Sequence, residues 1–475
     1  PVSRENNWMT RSLVLAGNFN LTNIDELYER LIDLGQYPPA KTDTVTILER
    51  IGHFLDRENE DKYRYFKDKG YSKREITDLL ARHIALKEIL SLAARRWDGG
   101  YVMAGMIGHG DAFVMRDPCG IRPAYYYRDD EVVVAASERA VIQTTFNVPY
   151  ENVQELAPGH ALLVRRDGDV ADERFIAPQE VRACSFERIY FSRGSDQDIY
   201  RERKELGRLL VPQIMKSIAG DIENTVFSYI PNTAESAFFG LVEGLDAHCA
   251  ETRVQKIMAG RDTLTEERLH EILHYKPRIE KIAIKDVKMR TFITQDDERD
   301  DLDDSIVRGT TLRRSIIRIL DRLRPKKIVV CSSAPQIRYP DCYGIDMSRL
   351  GDFVAFRAAI ELLKEHGMND VIDDVYRKAK IQMGLERSEA VNCVKKIYEP
   401  FTDEEISSKI AQIVTAPDIH AGVEVIYQSV ENLHKAIPHH NGDWYFTGDY
   451  PTPGGNVVAN KAFINFYENR NERAY

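Results

Sequence analysis

The sequence has few cysteines, no long apolar run and no excess of positive charge, and each scarcity excludes a class of protein. Its 475 residues include six cysteines, none in a C-x-x-C pair, so a zinc site of the usual spacing is not expected. No stretch approaches the roughly 18 apolar residues of a membrane span. The net charge of -10 argues against a surface for nucleic acid or anionic membranes. Scattered cysteines and a polar start predict a cytoplasmic protein.

The residues that are present suit an ordinary globular chain, with 43% hydrophobic and 29% charged side chains. At about 150 residues per domain, the length predicts two to three domains. We divide the chain into residues 1–178, 179–367 and 368–475. The first zone has short β-type runs and one helix that begins at a capping box of Ser72 and Glu75. The second alternates strands and helices, which predicts a parallel sheet flanked by helices, and the third is predicted to be helical and then irregular.

Short apolar runs give the predicted strands of the second zone. We expect strands at residues 189–191, 225–230 and 327–331, and further strands at 281–284 and 290–293. The run at 327–331 is the clearest of them.

A run of nine residues, 303–311 (Asp-Asp-Ser-Ile-Val-Arg-Gly-Thr-Thr), predicts a site for a phosphorylated ribose. A helix with one apolar face follows at once, so the free backbone N–H groups and positive dipole end of its first turn suit a phosphate. Gly309 lets the backbone approach closely. Asp303 and Asp304 cannot bind phosphate, but they can hold ribose hydroxyls or Mg²⁺. The alternative for the two aspartates is an Asp-rich helix cap.

The same run closely resembles the phosphoribosyl pyrophosphate loop of type I phosphoribosyltransferases, in the form found in glutamine phosphoribosylpyrophosphate amidotransferases. The resemblance implies an α/β phosphoribosyltransferase domain at residues 179–367 that uses Mg²⁺. Residues 230–234 resemble the family's pyrophosphate-side loop, and 288–293 resemble its mobile loop. The implied substrate-binding residues are Thr233, Lys288, Arg290, Asp303, Asp304, Ser305, Arg308, Gly309, Thr310 and Thr311. The implied metal ligands are Thr233, Asp303 and Asp304.

Two departures from the family pattern accompany this resemblance. Asn232 and Ala234 replace other residues of the pyrophosphate-side loop. The family's phosphate loop also follows a buried apolar strand, whereas residues 300–302 here read Asp-Asp-Leu. We expect a segment to be missing before Asp303, the alternative being a damaged site.

Residues 17–23 resemble the Asn-Gly-Asn-Leu-x-Asn motif of N-terminal-nucleophile glutamine amidotransferases. The resemblance implies an α+β amidotransferase domain at residues 1–178, with catalytic residues Asn18, Phe19 and Asp43. The Asn18 side chain and the Phe19 N–H would form the oxyanion hole, whose donors stabilise charge that develops on the substrate. Phe19 stands where the family has glycine. Asp43 matches the aspartate that binds the glutamine α-amino group, although Asn18 and Asp43 each also suit an ordinary turn.

The family's nucleophile is an N-terminal cysteine, whereas this sequence begins with Pro1. We therefore expect the first domain to lack its start, and the chain as given not to hydrolyse glutamine by the family mechanism. Cys119 is interpreted as a small buried side chain, because it lies in a Pro-x-Gly turn without a nearby base. Residues 116–123 and 340–346 also match family stretches, and we interpret both as mainly structural.

Some relatives hold an iron–sulfur cluster through four cysteines. Cys184 and Cys342 lie near two of the ligand positions, but Trp444 and Tyr445 stand about where the other cysteines would be. Two thiolates cannot hold such a cluster, so none is predicted.

The resemblance implies an enzyme, a pentosyltransferase with glutamine amidotransferase activity. It would form phosphoribosylamine from phosphoribosyl pyrophosphate and glutamine-derived ammonia in purine biosynthesis, as a homo-oligomer. Two alternatives stay open. One is an ammonia-only phosphoribosyltransferase with an inactive amidotransferase domain. The other is a non-catalytic regulatory protein that binds sugar phosphates.

Overall fold

The computed structural model describes residues 9–231, 233–260, 264–282, 306–345 and 347–474. Its strands are β1 (Leu13–Leu21), β2 (Gly99–Ile107), β3 (Ala112–Arg116), β4 (Tyr125–Arg128), β5 (Val133–Ala136), β6 (Gln154–Glu155), β7 (His160–Val164), β8 (Val170–Arg174), β9 (Val226–Phe227), β10 (Arg278–Ile279), β11 (Lys327–Ser332) and β12 (Gly422–Tyr427). Its α-helices are α1 (Ile24–Asp33), α2 (Asp43–Asp68), α3 (Lys73–His83), α4 (Leu86–Ala94), α5 (Arg139–Phe146), α6 (Gln197–Leu209), α7 (Val211–Ser217), α8 (Ala234–Ala259), α9 (Glu266–Leu273), α10 (Ile317–Asp321), α11 (Val354–Glu365), α12 (Asn369–Gln382), α13 (Asp403–Val414), α14 (Val430–Ala436), α15 (Trp444–Thr447) and α16 (Pro453–Tyr467). Two π-helical turns are Glu187–Phe191 and Leu312–Ile316.

The first half of the chain is built on an antiparallel sheet of order β1-β2-β3-β7-β8, beside a smaller sheet of order β5-β4-β6. Alternate residues of β1 and β2, such as Leu21 and Met103, form a core with apolar side chains of α1, α2 and α4. The predicted capping box is confirmed at the start of α3, where Ser72 and Glu75 bond each other's backbone N–H. The β-rich first zone is therefore confirmed, with helices covering one face of its larger sheet.

The second half contains two parallel strand pairs, β9 with β10 and β11 with β12. The strand predicted at residues 327–331 is confirmed as β11. Its partner β12 lies in the zone predicted to be only helical and irregular, so that prediction was incomplete. The partner of a parallel strand can lie far along the chain, and a short apolar run does not indicate which strand it pairs with.

Two other strand predictions were wrong or too long. Residues 189–191 form part of the π-helical turn Glu187–Phe191, in which Ile189 packs into the core. A short apolar run cannot be told from a buried helical turn by periodicity alone. The strand expected at 225–230 is reduced to β9. Of the strand expected at 281–284, residues 281–282 are not in a strand. Residues 283–284 and 290–293 lie outside the described residues.

The two halves share part of one core. Cys119 and Ile121, from the first half, pack in the same cluster as Tyr343 and Trp444 from the second. Among the helices that the structure describes, none has the length and hydropathy needed to cross a membrane.

Candidate functional site

The predicted oxyanion residues lie on β1, which is the edge strand of the five-stranded sheet. Side chains alternate along a strand, and Phe19 and Leu21 point into the helix-covered core. Asn18 and Asn20 therefore lie on the opposite face, where Asn18 is exposed and Asn20 is buried. The amide of the candidate donor Asn18 is thus available to a ligand at the edge of the sheet.

The backbone of β1 leaves the Phe19 N–H pointing away from the sheet. Gly108 donates to the carbonyl of Ser12 at 2.9 Å and Thr22 donates to that of Asp98 at 2.8 Å. In an antiparallel pair the bonded residues alternate, so the even-numbered residues of β1 are those bonded to β2. The N–H of Phe19 points to the other side, where the described residues include no further strand. It is therefore directed as an oxyanion donor would need to be.

Asp43 is the first residue of α2, and its Oδ1 accepts a hydrogen bond from the Thr44 N–H at 2.6 Å. No described hydrogen bond joins it to Asn18. Along α2, Asn59 accepts from the Thr10 hydroxyl at 2.5 Å, just before β1 begins. From Asn59 α2 rises about 24 Å back to Asp43, and from Leu13 β1 rises about 17 Å forward to Asn18. α2 packs against β1, and the described hydrogen bonds of the Asp43 side chain reach only Thr44.

A loop from the second half covers the Asn18 face of β1. We call residues 341–345 the junction loop. The Asn20 side chain donates to the Cys342 carbonyl at 2.7 Å. A Cβ added to Gly344 would lie 3.2 Å from the Asn18 Oδ1. The strand that carries Asn18 and Phe19 is therefore in contact with a part of the chain that was interpreted from the sequence as mainly structural.

The turn at residues 116–123 is rigid, and this agrees with its structural interpretation. The buried Asp117 carboxylate accepts from the N–H groups of Cys119 and Ile121, at 3.0 and 2.9 Å. Arg116 donates to the Gly120 carbonyl at 3.0 Å. The Cys119 thiol is buried, and burial followed by the Asp117 charge raises its pKa to about 12. A thiol of this kind is a poor nucleophile.

A packed aromatic group occupies the positions at which two of the cluster-binding cysteines would stand. Trp444 and Tyr445 are buried, and both donate to the Asp341 Oδ1, at 3.2 and 2.9 Å. The Cys184 Sγ lies 3.6 Å from the Tyr445 hydroxyl. In the described part of the chain, no three His, Cys, Asp or Glu side chains are grouped as metal ligands would be. The donor set here does not fit a four-cysteine cluster.

The described part of the phosphate run, from Ile306 to Thr311, has an irregular backbone. Ile306 and Gly309 have φ angles of +54° and +69°, in a region that favours glycine and strains a β-branched residue. The Val307 carbonyl accepts from the Val354 N–H at 2.8 Å. Such strained backbone clusters at functional sites, where surrounding contacts hold it in place.

Helical structure begins at Thr310, and the Gly309 carbonyl accepts from the Arg313 N–H at 3.1 Å. A π-helical turn follows, a feature often found at functional sites. Arg308 lies at a polar hollow, and its carbonyl accepts from Arg357 at 2.7 Å. The residues that line the hollow are Val307, Arg308, Met347, Ser348, Arg349, Asp352 and Phe353. Arg308 and Arg349 bring positive charge to this hollow beside the phosphate run, and Asp352 partly compensates it, since its Oδ2 lies 3.7 Å from the Arg308 Nη2.

The remaining predicted substrate residues are only partly described. Thr233 immediately precedes α8, and its side chain makes no capping hydrogen bond there. Its hydroxyl is therefore placed at a helix start, as a pyrophosphate-side loop requires. The predicted residues outside the described part of the chain are Lys288, Arg290, Asp303, Asp304 and Ser305.

The buried polar contacts of the junction loop were not predicted from the sequence. Arg122 and Asp341 are both buried charged residues, and such residues need partners. Charged residues within otherwise apolar runs indicate such buried contacts in the sequence. They do not indicate which residues pair.

No protein-family model matches the chain. It is similar to the amidophosphoribosyltransferase of Pasteurella multocida, with 27% identity over 371 residues, covering 76% of this chain and 68% of the relative. The corresponding protein of Haemophilus influenzae is 26% identical over 364 residues, which is 74% of this chain and 66% of that one. That of Escherichia coli is 25% identical over 387 residues, covering 76% and 70%. The chain thus spans about two thirds of the length of these relatives.

Two solved structures share the fold. One is a glutamine phosphoribosylpyrophosphate amidotransferase from B. subtilis complexed with ADP and GMP, with a TM-score of 0.57 and 23% identity, covering 94% of this chain and 78% of that one. The other is described as the allosteric regulatory enzyme of purine biosynthesis, with a TM-score of 0.56 and 22% identity, covering 93% and 76%. The predicted combination of an amidotransferase domain and a phosphoribosyltransferase domain agrees with this likeness.

Proposed function

The chain belongs to the amidophosphoribosyltransferase family, and we propose that the protein forms phosphoribosylamine from phosphoribosyl pyrophosphate and glutamine-derived ammonia. The observation that carries the proposal is the phosphate run. Its nine residues match the family loop, and its described part has the positive-φ Gly309 just before a helix begins. The proposed setting is purine biosynthesis in the cytoplasm, with the protein acting as a homo-oligomer.

In the proposed first step, glutamine is hydrolysed in the first half of the chain. The Asn18 side chain and the Phe19 N–H would donate to the oxyanion of the tetrahedral intermediate, and Asp43 would bind the glutamine α-amino group. The outward direction of the Phe19 N–H supports this assignment. A donor fixed in place before the reaction stabilises developing charge without reorganisation.

In the proposed second step, ammonia attacks C1 of the ribose. The C1–oxygen bond breaks, pyrophosphate leaves with the bonding electron pair, and the new amine loses a proton to solvent. Gly309, Thr310 and Thr311 would hold the 5′-phosphate through N–H and hydroxyl donors. Asp303 and Asp304 would hold the ribose hydroxyls, a role that positions the reacting carbon.

Mg²⁺ is part of the proposed reaction, with Asp303, Asp304 and Thr233 as its candidate ligands. Carboxylate and hydroxyl oxygens suit this hard cation, so the residue types fit it. When bound, it would supply positive charge to the oxygens of pyrophosphate. Lys288 and Arg290 would add cationic donors on the same side.

The test is an assay of the full-length protein with phosphoribosyl pyrophosphate and Mg²⁺, and with either glutamine or an ammonium salt. We expect pyrophosphate release with both donors, and one glutamate for each pyrophosphate in the glutamine reaction. Release with ammonia alone would favour the ammonia-only alternative, in keeping with Phe19 in place of glycine. Binding of phosphoribosyl pyrophosphate without turnover would favour the regulatory protein.

A further inference from the structure

The junction loop is attached to the strand that carries the proposed oxyanion donor. Asn20 donates to the Cys342 carbonyl at 2.7 Å, two residues from Asn18 on the same face of β1. A Cβ added to Gly100, which pairs with Asn20, would lie 3.1 Å from the Tyr343 Cβ. The loop therefore lies directly on the ends of β1 and β2, with no space for an intervening side chain.

Gly344 brings the backbone of the loop up to Asn18. Its φ is +113°, a conformation that other residues rarely adopt. An added Cβ would be 2.9 Å from the Arg122 Nη2 and 3.2 Å from the Asn18 Oδ1. Any side chain at this position would crowd the Asn18 amide. Gly344 therefore leaves the space that this amide occupies.

The junction loop is itself held from several directions. The Asp341 Oδ2 accepts from the Tyr343 N–H at 2.9 Å, and its Oδ1 accepts from two aromatic side chains, as described above. Arg122 Nε donates to the Tyr343 carbonyl at 2.9 Å, and Arg122 Nη1 donates to Glu187 at 2.8 Å. Burial lowers the pKa of Arg122, but Asp341 and Glu187 outweigh it, so the net pKa is raised and the guanidinium stays charged. The loop is thus a rigid surface on which a neighbouring side chain can be aligned.

We propose that Asn20 is a positioning residue for glutamine hydrolysis, which fixes β1 to the junction loop so that Gly344 and the loop backbone align the Asn18 amide. The inference rests on the proposed role of Asn18 as an oxyanion donor. It means that the second half of the chain builds one wall of the first half's site. Asn20 does not touch the substrate, and its effect passes through Asn18. Misplacement of a catalytic group by about 1 Å can cost about a hundredfold in rate.

The test compares Asn20→Ala and Gly344→Ala with the unmodified full-length protein, with glutamine and with ammonium as the nitrogen donor. We expect kcat with glutamine to fall about tenfold or more, with KM for glutamine within about twofold because Asp43 is untouched. The ammonia-dependent rate should stay within about twofold, because the phosphoribosyl site is unchanged. Asn20→Ser, which keeps a shorter donor, should lose less than Asn20→Ala.

Asn460→Ala is the matched control. Asn460 is also a buried asparagine, and it donates to the Val391 carbonyl at 2.8 Å, far along the chain from the junction loop. It should lower the thermal midpoint by a similar amount and leave the ratio of glutamine to ammonia activity unchanged. A parallel loss of both activities in the Asn20 variants, or no loss of either, would overturn the inference.

One further variant separates this inference from the proposed function. If Asn18→Ala abolishes glutamine use but Asn20→Ala and Gly344→Ala do not, the positioning role is wrong and the proposed function stands. If Asn18→Ala leaves glutamine use intact, or the unmodified protein hydrolyses no glutamine, the proposed oxyanion role fails and the inference fails with it.

Discussion

The strand that carries the proposed glutamine-site residues and the loop that carries the proposed phosphate-site residues are built in opposite ways. β1 is nine residues of regular strand, paired with β2 over its whole length. The phosphate run has two residues with positive φ, Ile306 and Gly309, and leads into a π-helical turn. Yet the phosphate run has the more specific sequence motif, and the oxyanion motif on β1 departs from its family at Phe19.

The chemistry of the two ligands accounts for this difference. A phosphate is held by several N–H groups that converge on one point, and only non-repeating backbone or a helix start provides them. Its sequence is restricted because few residues tolerate such a backbone. An oxyanion needs one side-chain donor and one outward N–H, and alternate residues of an edge strand supply such an N–H. The sequence of a strand that binds an oxyanion can therefore vary, because contacts with the surrounding residues align its donors.

The largest effect is expected from the aspartates of the phosphate run. Asp303→Asn combined with Asp304→Asn should lower ammonia-dependent pyrophosphate release by about a thousandfold, because neutral amides no longer hold Mg²⁺ or orient the ribose. The matched control is Asp300→Asn with Asp301→Asn, which removes the same charge three residues upstream. An equal loss in both pairs, or unchanged activity in the first pair, would contradict the assignment of the site.

A smaller and more selective effect is expected on β1. Asn18→Ala should lower glutamine-dependent turnover by about a hundredfold, the usual result of removing one oxyanion donor. The ammonia-dependent rate should stay the same, since Asn18 lies outside the phosphoribosyl site. Measuring both rates on one preparation gives the ratio directly, and an equal fall in both would mean that the change acts on folding.

Gly309 tests how far the irregular backbone of the phosphate run matters. An alanine at φ +69° costs about 1–2 kcal/mol, and its Cβ would also lie 2.9 Å from the Val414 Cγ1. Gly367→Ala is the control, because Gly367 has a φ of +71° and open space around it. Chemical denaturation should show a loss of stability in both variants, larger for Gly309→Ala. Only Gly309→Ala should raise KM for phosphoribosyl pyrophosphate, and an equal rise in both variants would contradict the role of this turn.

The comparison also shows what sequence could and could not predict. The short β-type runs of the first zone, the capping box at Ser72 and the apolar run of β11 are local patterns, and they were recognised. The partner of β11 and the contact of Asn20 with the junction loop join residues far apart in the chain, so no local pattern encodes them. The turn Glu187–Phe191 was mistaken for a strand because a few buried apolar residues suit either structure. The pairing of charged residues at the junction loop depends only on how distant parts of the chain pack together.

The smallest effect is expected at Cys119, a buried cysteine that packs in the same core as the junction loop and is not proposed to react. Its pKa of about 12 leaves about one thiol in ten thousand ionised at pH 8, and the thiolate is the reactive form. Iodoacetamide labelling of the folded protein should therefore be slow and should rise about tenfold per pH unit up to the pKa. Cys119→Ala should lower stability by about 1 kcal/mol and leave both activities within about twofold, with Cys119→Ser as the variant of matched size. Rapid labelling at pH 8, or loss of glutamine use alone in both variants, would indicate that Cys119 is a nucleophile. The site of glutamine hydrolysis would then lie at the turn after β3 and not at the edge of β1.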